Sequence, residues 1–123
     1  MTTALYIFIG GGVGSLARYG IGKLFSSSSL SNFPLGTFIT NTLACVLFAS
    51  IVLFINNKSN GQEWIQPLLL VGFCGGFSTF STFSNETVQL LNQGQWAIAL
   101  LNILISVLVG VGLIFFIYFR AKS

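Results

Sequence analysis

An all-helical integral membrane protein with four spans is what this sequence predicts, and three observations carry that reading. The first is composition. Of 123 residues, 54% are hydrophobic and 6% are charged, and the mean hydropathy is +0.88. A water-soluble domain carries about 25% charged residues, so this chain has too little charge to cover a surface in water. The second is length. The hydrocarbon core of a bilayer is roughly 30 Å thick and takes about 20 apolar residues to cross as a helix. Four stretches reach that length, at 4–24, 35–55, 67–92 and 96–119. The third is pattern. The apolar residues run on continuously instead of alternating, which excludes the strands of a transmembrane barrel. These spans consume most of the chain, so 1–123 reads as a single multi-pass membrane domain.

The first span contains GGGVGSLARYG. Gly10 with Gly14, and Gly11 with Ser15, stand at the small-xxx-small spacing that lets helix backbones approach closely. Arg18 lies inside the same apolar stretch, about 6–9 Å from its end. It either snorkels to the interface or faces a water-filled vestibule and concentrates anions there. No positively charged start precedes this span, so it is expected to be retained and not cleaved as a signal peptide.

The polar link SSSSLSNFP ends at Pro34, a residue suited to the first turn of a helix. In the second span Thr37, Asn41 and Cys45 recur every four residues and share one face. An amide inside a span costs free energy unless it is paired. Asn41 therefore either bonds a neighbouring helix, worth about 0.6–2 kcal/mol, or turns an N–H towards a pore.

Residues 56–63, NNKSNGQE, carry turn chemistry, and Pro67 opens the third span. The second half of that span reads GFCGGFSTFSTFSNE from Gly72 to Glu86. Residues three apart on a helix differ by about 60° of rotation, so Phe77, Phe80 and Phe83 form a slanting stripe. Serine and threonine occupy the remaining circumference. A helix this polar cannot face lipid and must be buried in protein or line water. Just before it stand Gly75 and Gly76, and a glycine pair followed by Ser and Thr predicts a broken helix in mid-membrane. Freed carbonyls suit a cation such as Na+, while freed amides and hydroxyls suit an anion. The simpler alternative is a kink in which the hydroxyls bond back to carbonyls four residues earlier. The fourth span adds a thin stripe of Asn102, Ser106 and Gly110, and ends at Arg120 and Lys122.

Several function classes drop out for want of parts. There is no histidine, and the only acids are Glu63 and Glu86. Metal-ligand clusters, a Ser/His/Asp triad and a paired-carboxylate site cannot be built, so an enzyme is not expected. Cys45 and Cys74 fall in apolar spans and are expected as buried small residues, not as a disulfide. A formal net charge of +3 is too sparse for nucleic-acid binding.

The charges also bear on orientation. Lys58, Arg120 and Lys122 share one side of the membrane, against Lys23 on the other, joined by Arg18 if it reaches that interface. That is hardly any positive-inside bias. Either another feature of the chain decides the orientation, or the topology is dual, with copies inserting both ways and pairing as an antiparallel homodimer. Four short helices cannot enclose a solute path alone, so association is expected in any case. The donors on offer are Asn41, the hydroxyls and the positive edges of phenylalanine rings. These are weak anion ligands, and conduction requires binding that is adequate without being tight. The residues point to a small-anion channel.

GGGVGSLARYG, PLGTFITN and GFCGGFSTFSTF, in this order over essentially the whole chain, resemble the fluoride channels of the Fluc (CrcB) family. The resemblance implies a passive channel of the bacterial cell inner membrane, selective for F− over Cl−, that releases fluoride from the cytoplasm and protects against its toxicity. It implies an antiparallel dual-topology homodimer with two pores, each built from both subunits. The family's pore phenylalanines fall on Phe80 and Phe83, and its pore asparagine on Asn41. Thr37, Ser81, Thr82 and Ser106 fall on polar pore-lining positions, and Arg18 and Glu86 on recurrent ones. The backbone carbonyls of Gly75 and Ser78 fall where the family holds a structural Na+ at the dimer centre. Ser78 stands where threonine is common, a difference of little weight for a main-chain ligand. Selectivity for fluoride comes from the resemblance alone. The alternative is a small proton-coupled multidrug exporter, which needs a membrane-embedded carboxylate. Glu86 lies far from the middle of its span for that task. A structural subunit without transport would have no need of an FST repeat behind a glycine pair.

Overall fold

The structure, a computed structural model, describes residues 2–25, 33–57 and 63–122. Among them every regular element is helical: α1 (Thr2–Leu24), α2 (Leu35–Asn57), a π-helix (Gln66–Cys74), α3 (Gly75–Phe77), α4 (Phe80–Asn92) and α5 (Trp96–Lys122). Four segments are long and apolar enough to cross a membrane: Thr2–Leu24, Leu35–Asn57, Gln66–Asn92 and Trp96–Lys122. The protein is a multi-pass membrane protein. Its helices run slightly past the apolar stretches, through Thr2, Asn57 and Lys122. Helical hydrogen bonding continues into the polar interface, where apolar character no longer matters. Lys58 and the links at 26–32 and 58–62, which entered the charge balance and the turn reading, lie outside the described residues.

Two features of the third span depart from the pattern in the sequence. Its first part, Gln66–Cys74, winds as a π-helix, whose turns bond residue i to i+5. The interruption, moreover, is not at the glycine pair. Gly75 is helical at φ −63° and ψ −40°, and Gly76 lies within α3. The extended residues are Ser78 (φ −84°, ψ 159°) and Thr79 (φ −152°, ψ 123°).

Gly76 serves helix packing instead. A Cβ there would stand 2.5 Å from Gly11 O and 3.1 Å from Ser15 Oγ. One at Gly72 would stand 3.0 Å from the Gly10 Cα. Gly10 and Gly14 are buried against the backbone around Leu68 and Phe73. The small-xxx-small spacing in α1 thus seats it at backbone distance on the π-helix and α3, while α2 packs mainly on α5.

Beside Ile65, Phe77 and Leu90 the interior is made of small and polar side chains, and most of the large apolar ones lie outside. Ala44, Ala49, Ala99, Thr40 and Asn102 are buried, whereas Phe8, Leu16, Leu108 and Phe115 are exposed. Lipid is as apolar as leucine, so large aliphatic groups gain nothing by turning inward and helices meet through small side chains. Gly94, at φ 77°, ends α4. Its left-handed conformation lets its N–H bond Leu91 O at 3.1 Å and the Gln95 N–H bond Leu90 O at 2.9 Å. The chain then turns directly into α5, which packs against α4.

Candidate functional site

Two extended residues between helices leave backbone groups that must find partners, because nothing in hydrocarbon can supply them. Most are found from a distance. Asn41 Oδ1 accepts from the Thr79 N–H at 2.8 Å, and Asn41 Nδ2–H donates to Thr79 O at 3.1 Å. Of the two roles open to Asn41, the interhelical bond is thus present, and the residue lines a groove as well. Gly76 O would bond the Phe80 N–H in a continuous helix. The extended pair intervenes, and Arg18 Nε–H donates to Gly76 O at 3.0 Å instead. Arg18 therefore turns onto the interruption.

Local bonds complete the joint. Cys74 O accepts from both the Ser78 N–H at 3.0 Å and the Ser78 hydroxyl at 2.9 Å. The back-bonded kink foreseen as the simpler alternative thus describes Ser78 but not Thr79. Thr79 Oγ1 accepts from the Thr82 N–H at 3.2 Å and so caps α4. It also contacts the hydroxyls of Thr82 at 3.2 Å and Ser81 at 3.4 Å.

A groove of about 280 Å³ opens beside the joint. It is lined by Asn41 and Cys45 from α2, Ser78 and Thr79, Phe80 and Phe83 from α4, and Ser106 and Val107 from α5. Of the residues singled out in the sequence, Asn41, Phe80, Phe83 and Ser106 converge here. Thr37, Ser81 and Thr82 are not among the lining residues. The Thr37 hydroxyl faces the Glu86 carboxylate, whose Oε1 is buried without a hydrogen bond among the described residues. The Phe80 and Phe83 rings lie 6.0 Å apart, tilted by 40°. Phe77 does not continue their stripe. It precedes the interruption, is buried, and stacks on Phe73 at 5.4 Å. The two extended residues reset the rotation on which the three-residue spacing depended.

A second groove, about 300 Å³, adjoins the first and shares Cys45 and Ser78 with it. Gly75 and Cys74 also line it. The Thr79 N–H, which would serve Gly75 O in an unbroken helix, is held by Asn41. Gly75 O has lost that partner.

A buried polar chain was not foreseen as part of the site. Ser106 Oγ–H donates to Asn102 Oδ1 at 3.2 Å, Asn102 Nδ2–H to Thr87 Oγ1 at 3.0 Å, and Thr87 Oγ1–H to Phe83 O at 2.8 Å. The four-residue spacing of Asn102 and Ser106 is visible in the sequence. Their link to Thr87 depends on how α4 and α5 fold against each other.

Among the described residues, the first groove offers an Asn41 amide N–H and ring edges, with no charged side chain in its lining, while the Ser78, Thr79 and Ser106 hydroxyls donate back into the protein. Such donors hold a small anion without trapping it. Fold and groove together define a class: a small multi-pass membrane protein with an uncharged, anion-suited groove beside an interrupted span. Within that class, the chain belongs to the family described as CrcB-like protein, Camphor Resistance (CrcB), which matches residues 5–118. Its relatives include proteins named fluoride-specific ion channel FluC. One from Coxiella burnetii is 43% identical over 105 residues, 84% of each chain. One from Flavobacterium psychrophilum is 38% identical over 110 residues, 89% of each chain. One from Pyrococcus abyssi is 40% identical over 124 residues, covering 99% of this chain and 98% of its own. These relatives are named as channels, so neither an enzyme nor the multidrug exporter is favoured.

Proposed function

We infer that the protein is a fluoride-specific ion channel through which F− crosses the membrane passively. The observation that carries this reading is the convergence of Asn41, Phe80, Phe83 and Ser106 on one uncharged groove, in a chain whose near full-length relatives are named fluoride-specific ion channels. An amide N–H and ring edges replace part of the ion's water shell without a fixed positive charge to hold it. The physiological direction is release of cytoplasmic fluoride across the bacterial inner membrane, which lowers its toxicity.

The working unit in this reading is an antiparallel, dual-topology homodimer. Phe80 is 79% exposed at the edge of a groove that also carries Asn41, Thr79 and Ser106. Polar backbone and side chains at the depth of a span cannot be left to lipid, and a second copy would cover them. The interruption at Ser78–Thr79 then lies near the middle of the bilayer. Helix one, through Arg18, and helix two, through Asn41, hold it in place.

A structural Na+ fits the donor set at the joint. Hard cations take oxygen ligands, and Gly75 O has lost its helical partner to Asn41. Gly75 and Ser78 both line the second groove, so the joint can be approached from there. The carbonyls of Gly75 and Ser78 would hold the ion, and a two-fold axis would double the set. When bound, Na+ supplies positive charge that pins the interruption.

Fluoride efflux from proteoliposomes, read with an ion-selective electrode under a valinomycin voltage clamp, tests the reading. Fast fluoride release with little chloride release is expected. Well-folded protein that releases neither ion would overturn it.

A further inference from the structure

We propose that Asn102 is a positioning residue of the conduction groove, deciding whether the Ser106 hydroxyl meets the groove as an acceptor or as a donor. The proposal rests on the fluoride-channel reading and deepens it. Asn102 is 1% exposed and does not line the groove. Both ends of its amide are nonetheless engaged, one with Thr87 and the other with Ser106. The chain Ser106–Asn102–Thr87 ends on Phe83 O, so it joins two groove residues through two that stand behind them.

Chemistry gives the chain a direction. A carbonyl only accepts, so the single hydroxyl proton of Thr87 goes to Phe83 O. Thr87 Oγ1 is then left to accept, which turns the amide nitrogen of Asn102 towards it. The amide oxygen consequently faces Ser106, and Ser106 must donate its only proton backwards into the protein. What Ser106 presents to the groove in this state is lone pairs, which repel an anion.

The chain can also run the other way. With the Asn102 amide flipped, Thr87 donates to Oδ1, Nδ2–H donates to Ser106 Oγ, and the Ser106 proton turns into the groove. Phe83 O loses the Thr87 hydroxyl but keeps the helical N–H four residues on. Phe83 O keeps a partner in both directions, so the reversal is open to the chain once the Thr87 hydroxyl rotates off Phe83 O. A fluoride ion beside Ser106 supplies an acceptor for the outward proton and selects the second state. When the ion leaves, the first state returns. Binding is thereby transient, as conduction requires.

The test uses wild-type protein in liposomes, with solid-state NMR of the Asn102 side-chain amide during a fluoride titration and flux measured on the same preparation. The expected result is an Asn102 shift that follows fluoride and disappears in S106A. Flux with an Asn102 signal indifferent to fluoride overturns this proposal alone; absence of wild-type flux overturns the channel reading and this proposal with it. A double-mutant cycle supplies the second readout. N102A should lower flux roughly tenfold, the scale of one lost buried hydrogen bond, and should add nothing to S106A. Additive losses would mean that Asn102 merely packs. Should N102A fail to fold, the nearly isosteric T87V is expected to show the same non-additivity, and additivity there overturns the proposal equally.

Discussion

Asn41 and Thr79 bond each other twice, at 2.8 Å from the Thr79 N–H to Oδ1 and at 3.1 Å from Nδ2–H to Thr79 O. A side-chain amide carries the same donor and acceptor as a peptide group. Asn41 thus serves Thr79 as a neighbouring strand would serve an extended residue in a sheet. One side chain satisfies both the N–H and the C=O of a residue that the helix has released, and it does so at the wall of the groove.

Asn41→Asp replaces Nδ2 by an oxygen that faces Thr79 O, and it places negative charge where an anion must pass. Each buried group left unpaired costs about 1–3 kcal/mol. Fluoride flux should fall on the order of a hundredfold. The check is electrode-read efflux from protein shown to be well folded by gel filtration; flux within threefold of wild type, against an expected loss on that order, would dismiss the clamp as a functional element.

Phe80→Ile and Phe83→Ile remove the ring edges while keeping bulk. Each should lower fluoride flux roughly tenfold or more, with the protein still folded. Phe77→Ile is the internal control, since Phe77 packs on Phe73 away from the groove. It should cost stability before it costs flux. Unchanged flux in both groove variants would identify the rings as packing.

Gly76→Ala drives a Cβ against Gly11 O, 2.5 Å away, whereas a Cβ at Gly12 meets nothing within 4 Å. Overpacking of this kind costs about 1–3 kcal/mol. Gly76→Ala should therefore melt clearly earlier in detergent, while Gly12→Ala should match or exceed wild type because alanine favours the helix. Equal melting temperatures for the two variants would refute the close approach of α1 to the third span.

Replacing Na+ by N-methylglucamine throughout should lower the melting temperature by about 5 °C and depress flux. The effect should return on adding Na+, and less well on adding K+, whose larger radius suits a wider oxygen cage. Indifference to the cation would remove Na+ from the joint at Gly75 and Ser78.

Arg18→Lys keeps a positive charge but places a methylene where arginine carries the Nε donor to Gly76 O. If that bond matters, the lysine variant loses flux much as Arg18→Gln does, at low and at high salt. If Arg18 acts by concentrating anions, lysine preserves flux, and the Gln defect shrinks as salt screens the field.

Much of this protein could be read locally. Span number, span length and the shortage of charge depend on composition summed along short windows, so Thr2–Leu24, Leu35–Asn57 and Trp96–Lys122 were legible within a few residues. The glycines and serine of GGGVGSLARYG announced close helix packing, and α1 delivers it. What could not be read was where the third span lets go. The glycine pair pointed to Gly75 and Gly76, yet the chain extends at Ser78 and Thr79. The extended state there is held by Asn41, 38 residues earlier along the chain, and its neighbouring carbonyl by Arg18, 58 residues from Gly76. The glycines are used up in contact with α1. Asn102 escaped for the same reason, because its polarity has meaning only once Thr87 and Ser106 lie on either side of it. Hydropathy and spacing are properties of neighbours in sequence, and they determined the spans. The partner of a freed hydrogen bond is a neighbour in space, and only the packing of the helices decided it.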